Sequence, residues 1–144
     1  LVELTKREHI NVRFIEVMPI GECAGWNRER FIGLGEVLRR VPELKPVGTD
    51  GVAEVYRKDG YPGTVGLIHP ISAHFCPDCN RIRITSDGKL KPCLHSGEEI
   101  ALKGLHGDEL LETLRAGIEG KPMRHRLEDG AASDSRRGMS AIGG

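Results

Sequence analysis

The chain has few aromatics, three Phe, two Tyr and one Trp among 144 residues, and no excess of charge, 21 Lys and Arg standing against 21 Asp and Glu. A balanced charge removes the long-range field that draws a protein to nucleic acid or to an anionic membrane, so any anion site must be a local cluster. No apolar run approaches the roughly 18 residues of a membrane span, and residues 1–8 lack the apolar stretch of a signal peptide. The reading is a cytoplasmic protein with no nucleic-acid and no membrane partner. Sparse aromatics and 19 glycines imply many turns and a thin core that leans on something else. Disulfides are not expected either: there are four cysteines, and three of them, Cys76, Cys79 and Cys93, crowd into eighteen residues. In a reducing compartment such a cluster points to a metal site or a redox pair. Cys23 stands apart as a small apolar residue or spare thiol, and Trp26, the sole tryptophan, reads as a loop plug over apolar surface.

What is present falls into short elements. Asn11 to Met18 is mostly apolar and ends at Pro19, as a largely buried strand would, with Arg13 and Glu16 as charges upon it. Ile32, Leu34, Val37, Leu38 and Val41 are spaced as on a helix over Arg30 to Val41, closed by Pro42. Strands are expected at Leu44 to Val47, Ala53 to Arg57 and Thr64 to Ile68, separated by Gly- and Pro-containing turns. A second helix is expected from Gly107 or Asp108 to Glu119, with Asp108 as its cap and Leu110, Leu111, Leu114 and Ile118 on one face. His125 is expected to make a local contact.

The chemistry sits in the spacing C-x2-C-x13-C. If Ser86-Asp87-Gly88 is a three-residue loop with Gly88 left-handed, Thr85 faces Lys89 and Arg81 faces Cys93. Alternation along the strand then sets Cys79, Arg81 and Arg83 on one side with Cys93, and Ile82 and Ile84 bury the other. A two-residue turn would move Cys93 to the opposite face, so the site argues for the longer loop. Three cysteines leave a tetrahedral structural site one ligand short. Two readings stand: a non-catalytic zinc-binding module completed by His95 or His74, or an iron–sulfur cluster on three thiolates with one iron open to substrate. Arg81 and Arg83 suit the second, because guanidinium recognises phosphate bidentately. As a solvated face of an edge hairpin they would need no ligand.

Phe75-Cys76-x-x-Cys79-Asn80-Arg81-Ile82-Arg83-Ile84-Thr85-x-Asp87-Gly88-Lys89-Leu90-x-x-Cys93-Leu94, Arg13-Phe14-Ile15-Glu16-x-Met18-Pro19 upstream, and the closing Gly143-Gly144 together resemble the C-terminal part of the MoaA family. These are the radical-SAM GTP 3′,8-cyclases of molybdenum cofactor biosynthesis. The likeness runs over nearly the whole chain, and the cysteine–arginine signature is its specific part. The resemblance implies an α+β fold. Residues 1–42 would be the last strand and helix of an incomplete (β/α) barrel, and 43–144 a cluster- and GTP-binding domain with a small antiparallel sheet, covering helices and an extended tail.

The resemblance also implies a division of labour. A barrel elsewhere in the full-length enzyme carries one 4Fe-4S cluster and makes a 5′-deoxyadenosyl radical from S-adenosylmethionine. Cys76, Cys79 and Cys93 match the ligands of a second 4Fe-4S cluster that binds GTP. The radical takes the ribose 3′ hydrogen and the sugar carbon attacks C8 of guanine. Arg81 and Arg83 match residues that hold or activate GTP, Arg13 another substrate arginine, and Gly143 and Gly144 a tail that enters the active site. The expected partners are GTP, the N-terminal radical-SAM barrel, a second copy of the chain at an exposed strand edge, and, next in the pathway, cyclic pyranopterin monophosphate synthase (MoaC). The C-x3-C-x2-C motif of the radical cluster is absent from these 144 residues, which begin at Leu1. The expectation is a piece of a longer enzyme that makes no radical alone.

Overall fold

A computed structural model describes residues 1–25, 31–125, 127 and 133–142. They belong to two compact units, Leu1–Val17 with Trp26–Phe75, and Met18–Gly25 with Cys76–Gly144. These do not divide at 42/43, because the first strand is built into the same sheet as residues 44–68. The fold is α+β, with one mixed and one antiparallel sheet and few helices. No helix among the described residues is long and apolar enough to cross a membrane.

In the first unit, strands β1 (Asn11–Ile15), β2 (Leu44–Asp50), β3 (Ala53–Lys58) and β4 (Thr64–Ile68) lie in the order β1-β4-β3-β2. β1 is parallel to β4, with Arg13 opposite Gly66 and Phe14 opposite Leu67; the other pairs are antiparallel. Central β4 is mostly apolar, and Val65 and Leu67, which share one face, are each 1% exposed. Those two side chains, with Val2 and Leu44, meet Leu34, Val37, Leu38 and Val41 of helix α1 (Gly35–Arg40) and its flanks. The helical spacing in the sequence is therefore real, although the helix is shorter than the expected Arg30 to Val41; Arg30 lies outside the described residues. Pro46 is tolerated in β2 because that strand is an edge. β1 is the other edge, and beside it Leu1, Val2, Phe14, Ile15, Val17 and Ile32 line an open apolar groove of about 580 Å³.

In the second unit, β5 (Arg83–Ile84), β6 (Lys89–Lys91) and β7 (Ile100–Ala101) form an antiparallel sheet. Its hairpin has the expected register: Arg83 pairs with Lys91, Ile84 with Leu90, and the Thr85 N–H donates to the Lys89 carbonyl at 2.9 Å. Gly88 has φ +80°, a conformation costly for residues with a Cβ, and its N–H closes the turn on Thr85 O at 2.9 Å. Ile82 and Ile84 do not bury a face; they are 37% and 55% exposed, while Leu90 and Lys91 on the central strand are buried. β5 is a two-residue edge, so cover reaches its neighbour and not β5 itself. Helix α2 (Gly107–Glu119) packs on Leu90 and Ile100 through Gly117, where a Cβ would stand 2.4 Å from Leu90 Cδ2. Leu110 and Leu114 flank that contact, whereas Leu111 and Ile118 are 53% and 48% exposed, so the buried stripe is narrower than the sequence suggests. His106, not Asp108, holds the N-cap position, with no side-chain cap; Asp108 and Glu109 sit in the first turn, where carboxylates interact favourably with the positive end of the helix dipole.

Candidate functional site

The three clustered cysteines are free, half-buried and in the second unit, as is Cys23. Cys76 opens a 3₁₀ turn, Cys76–Asp78, closed by the Cys79 N–H on the Cys76 carbonyl at 3.2 Å. Beyond it the chain is not a strand until Arg83, so the single face of Cys79, Arg81, Arg83 and Cys93 is not formed. Two causes are visible. Cys93 begins a turn that returns to its own carbonyl from the Ser96 N–H at 3.2 Å. Across from it, the carbonyls of Cys79 and Arg81, which a ladder would need, both accept from the Lys121 ammonium, at 2.6 and 3.0 Å.

The same ammonium lies 3.3 Å from Cys79 Sγ. Burial pushes the Cys79 thiol pKa up, but the Arg81 backbone N–H, the Lys121 hydrogen bond and the charges of Lys121 and Arg81 outweigh it, and the net shift is downward. Cys79 is thus biased toward the thiolate, the form that binds metal. Arg81 is exposed and Arg83 half-buried.

Among the described residues, no three His, Cys, Asp or Glu side chains are grouped so as to hold a metal ion. That counts against a single zinc, whose ligands must converge on one centre. His95 is moreover engaged elsewhere: buried, with Nδ1 3.3 Å from Ser133 Oγ and its ring edge-on to His125 at 4.9 Å. Burial, then His125 and Lys91, press its pKa down to about 4, so it is neutral at pH 7. His125 makes the local contact expected of it, its Nδ1 accepting the Leu127 N–H at 3.2 Å. Cys76, Cys79 and Cys93, all free thiols, are the donor set that a three-thiolate iron–sulfur cluster would use.

Arg13 belongs to the first unit. It runs across Gly66, where any Cβ would stand 2.7 Å from its Cδ, and its guanidinium pairs with Asp50. It lines a cavity of about 370 Å³ with His9, Asn11 and Arg57. An anion that takes Arg13 competes with Asp50 for the guanidinium. Glu16, on the same strand run, is buried and accepts the N–H groups of Ile71 and Ser72, both at 2.9 Å. Trp26, Gly143 and Gly144 lie outside the described residues.

Two features carried no signal in the sequence. Lys121, following the C-cap Gly120 of α2, reads there as an ordinary charge at a helix end. Arg137 reads as one of a basic pair, yet it spans Asp87 of the hairpin turn and Glu99, both at 2.8 Å, and Lys89 reaches Glu99 at 3.1 Å. This ties residue 137 to the hairpin that follows the cysteines.

An α+β fold bearing a three-cysteine hairpin with paired arginines defines the class, and the chain belongs to the Molybdenum Cofactor Synthesis C family, whose profile matches residues 10–127. It is 48% identical over 148 residues to a GTP 3′,8-cyclase of Alkaliphilus oremlandii, covering 99% of this chain and 46% of that protein. Those of Alkaliphilus metalliredigens and Clostridium botulinum are 49% and 40% identical, with 98% and 99% of this chain and 46% of each relative covered. The chain spans about half the length of the curated relatives it matches.

Proposed function

We propose that this chain is the substrate-binding part of a GTP 3′,8-cyclase, with Cys76, Cys79 and Cys93 holding a 4Fe-4S cluster. The observation that carries the reading is the Cys79 thiol, drawn down by an ammonium and a backbone N–H at the head of the Asn80-Arg81-Ile82-Arg83 run. The names of the relatives point the same way. When bound, the cluster supplies an iron not occupied by a protein thiolate, open to the purine of GTP. Arg81 and Arg83 neutralise the triphosphate; Arg13, the further substrate arginine of the family resemblance, is paired with Asp50 within the first unit. Gly143 and Gly144, the tail of the family resemblance, would bring backbone without side chains to the substrate.

S-adenosylmethionine, the radical cluster and the barrel that holds it belong to the rest of the enzyme. The open β1 edge and its apolar groove supply a surface on which neighbouring strands would continue the sheet. The chain alone is expected to bind GTP and not to cleave S-adenosylmethionine.

Anaerobic reconstitution with iron and sulfide, followed by GTP titration, tests the reading. About four irons per chain, with a spectrum that GTP perturbs and Cys93→Ala abolishes, is the expected result. Tight zinc at one per chain with no response to GTP would replace it with the structural module.

A further inference from the structure

The Lys121 ammonium has three N–H donors, and three acceptors surround it: the Cys79 carbonyl at 2.6 Å, the Arg81 carbonyl at 3.0 Å and Cys79 Sγ at 3.3 Å. Every donor is used, so this lysine has none left for a phosphate. Its backbone is equally constrained. The Lys121 N–H returns to Ile118 O at 3.2 Å, Gly120 closes the helix on Ala116 O at 2.8 Å, and the helix is seated on Leu90 and Ile100 at Gly117. A long side chain normally loses rotamer entropy when held. Here the cost is offset by charge-assisted bonds on a rigid base.

We propose that Lys121 is the positioning residue of the cysteine–arginine loop, one ammonium fixing the Cys79 sulfur together with the backbone on both sides of Asn80. The proposal rests on the cluster reading for its consequence, though not for its geometry. Clamping two carbonyls of successive odd residues sets the direction in which the chain leaves Cys79, and hence where Arg81 and Arg83 begin. Once Cys79 is an iron ligand, an N–H donor and a positive charge at its sulfur stabilise the reduced cluster and raise its reduction potential. A lysine that served only the helix dipole would touch the carbonyls of α2, and its loss would leave the loop and the potential unchanged.

Lys121→Met keeps the stem and removes the ammonium; Lys121→Arg keeps the charge and loses the tripod geometry. Amide hydrogen exchange on the iron-free chain is the first readout. In Lys121→Met, exchange over residues 79–83 should rise about tenfold, the scale of one lost charge-assisted hydrogen bond, while residues 107–119 keep their protection. Lys121→Arg should fall between. The second readout is the reconstituted chain, where Lys121→Met should hold less iron and show a lower midpoint potential by anaerobic titration. Unchanged exchange over 79–83 in a variant that keeps its helix overturns the anchoring role. Wild-type iron content and potential in Lys121→Met overturn the role at the sulfur. If the wild-type chain itself takes up no cluster, the functional reading fails, and the exchange result still decides whether Lys121 anchors the loop.

Discussion

Glu16 permits a prediction whose size follows from its contacts. Its carboxylate is fully buried at the end of β1. Oε2 accepts two backbone N–H groups, from Ile71 and Ser72, and Oε1 accepts the Ser72 hydroxyl, with His69 Nδ1 3.5 Å away. Glu16→Ala strands both N–H groups, each costing about 1–3 kcal/mol when buried. Ser72 is exposed enough for water to replace one of them, so the lower half of that range applies, and the expected loss is about 2–4 kcal/mol. Glu16→Gln retains one acceptor oxygen and gives up the charge, for about 1–2 kcal/mol. Burial pushes the Glu16 pKa up, but the Ser72 and Ile71 hydrogen bonds and His69 together bring it below 4.5. A depressed carboxylate contributes stability that is complete above its unfolded pKa and disappears as pH falls through the folded one. The gap between wild type and Glu16→Gln should therefore be constant at neutral pH and close below about pH 4.5, the unperturbed value. Urea unfolding midpoints at constant slope measure both quantities. A Glu16→Ala variant within 0.5 kcal/mol of wild type (roughly the scatter of neutral surface changes), or a gap that ignores pH, would refute the argument.

Two other sites give opposed or pH-dependent terms. Gly117→Ala gains about 1 kcal/mol of helix propensity but drives a methyl to 2.4 Å from Leu90 Cδ2 and 2.9 Å from Ile100 Cδ1. Overpacking costs about 1–3 kcal/mol, so net destabilisation of about 1 kcal/mol should appear in thermal melts, and a stabilised variant would mean α2 is not seated as described. Glu99 is held down to about 2, first by its hydrogen bond to Arg137 and then by Lys89. The clamp on residue 137 should thus persist to low pH and loosen as pH falls toward 2; carbon-13 NMR of the Glu99 carboxyl should titrate near 2 in wild type and higher in Arg137→Ala, where only Lys89 still holds it down. Titration at 4.5 in both would mean the clamp is not formed.

Local rules were enough for the elements that depend on neighbours in the chain. The turn chemistry of Ser86-Asp87-Gly88 fixed the hairpin register residue for residue, because Gly88 alone suits the left-handed position. Thr64 to Ile68 was legible from its apolar run with matching ends, and α2 from its leucines. What failed was inference across the fold. Arg13 finds Asp50 only because β1 pairs in parallel with β4, which leaves two strands between it and β2. No local pattern encodes that pairing. Ile84 looked like a core residue from alternation, and alternation cannot tell an edge strand from a central one.

The candidate site divides along the same line. Its thiols and guanidiniums are chemical types that spacing can reveal, and C-x2-C-x13-C with Arg81 and Arg83 revealed them. Its geometry is set by Lys121, forty-two residues from Cys79, through bonds to carbonyl oxygens that every residue carries. A side chain that acts on backbone leaves no partner motif to find. Extending β5 back to Cys79 by alternation was reasonable from the hairpin alone, but the carbonyls that ladder would use are committed to the ammonium. The break in the strand and the placement of the sulfur therefore share a cause, and a single substitution at Lys121 should change both together.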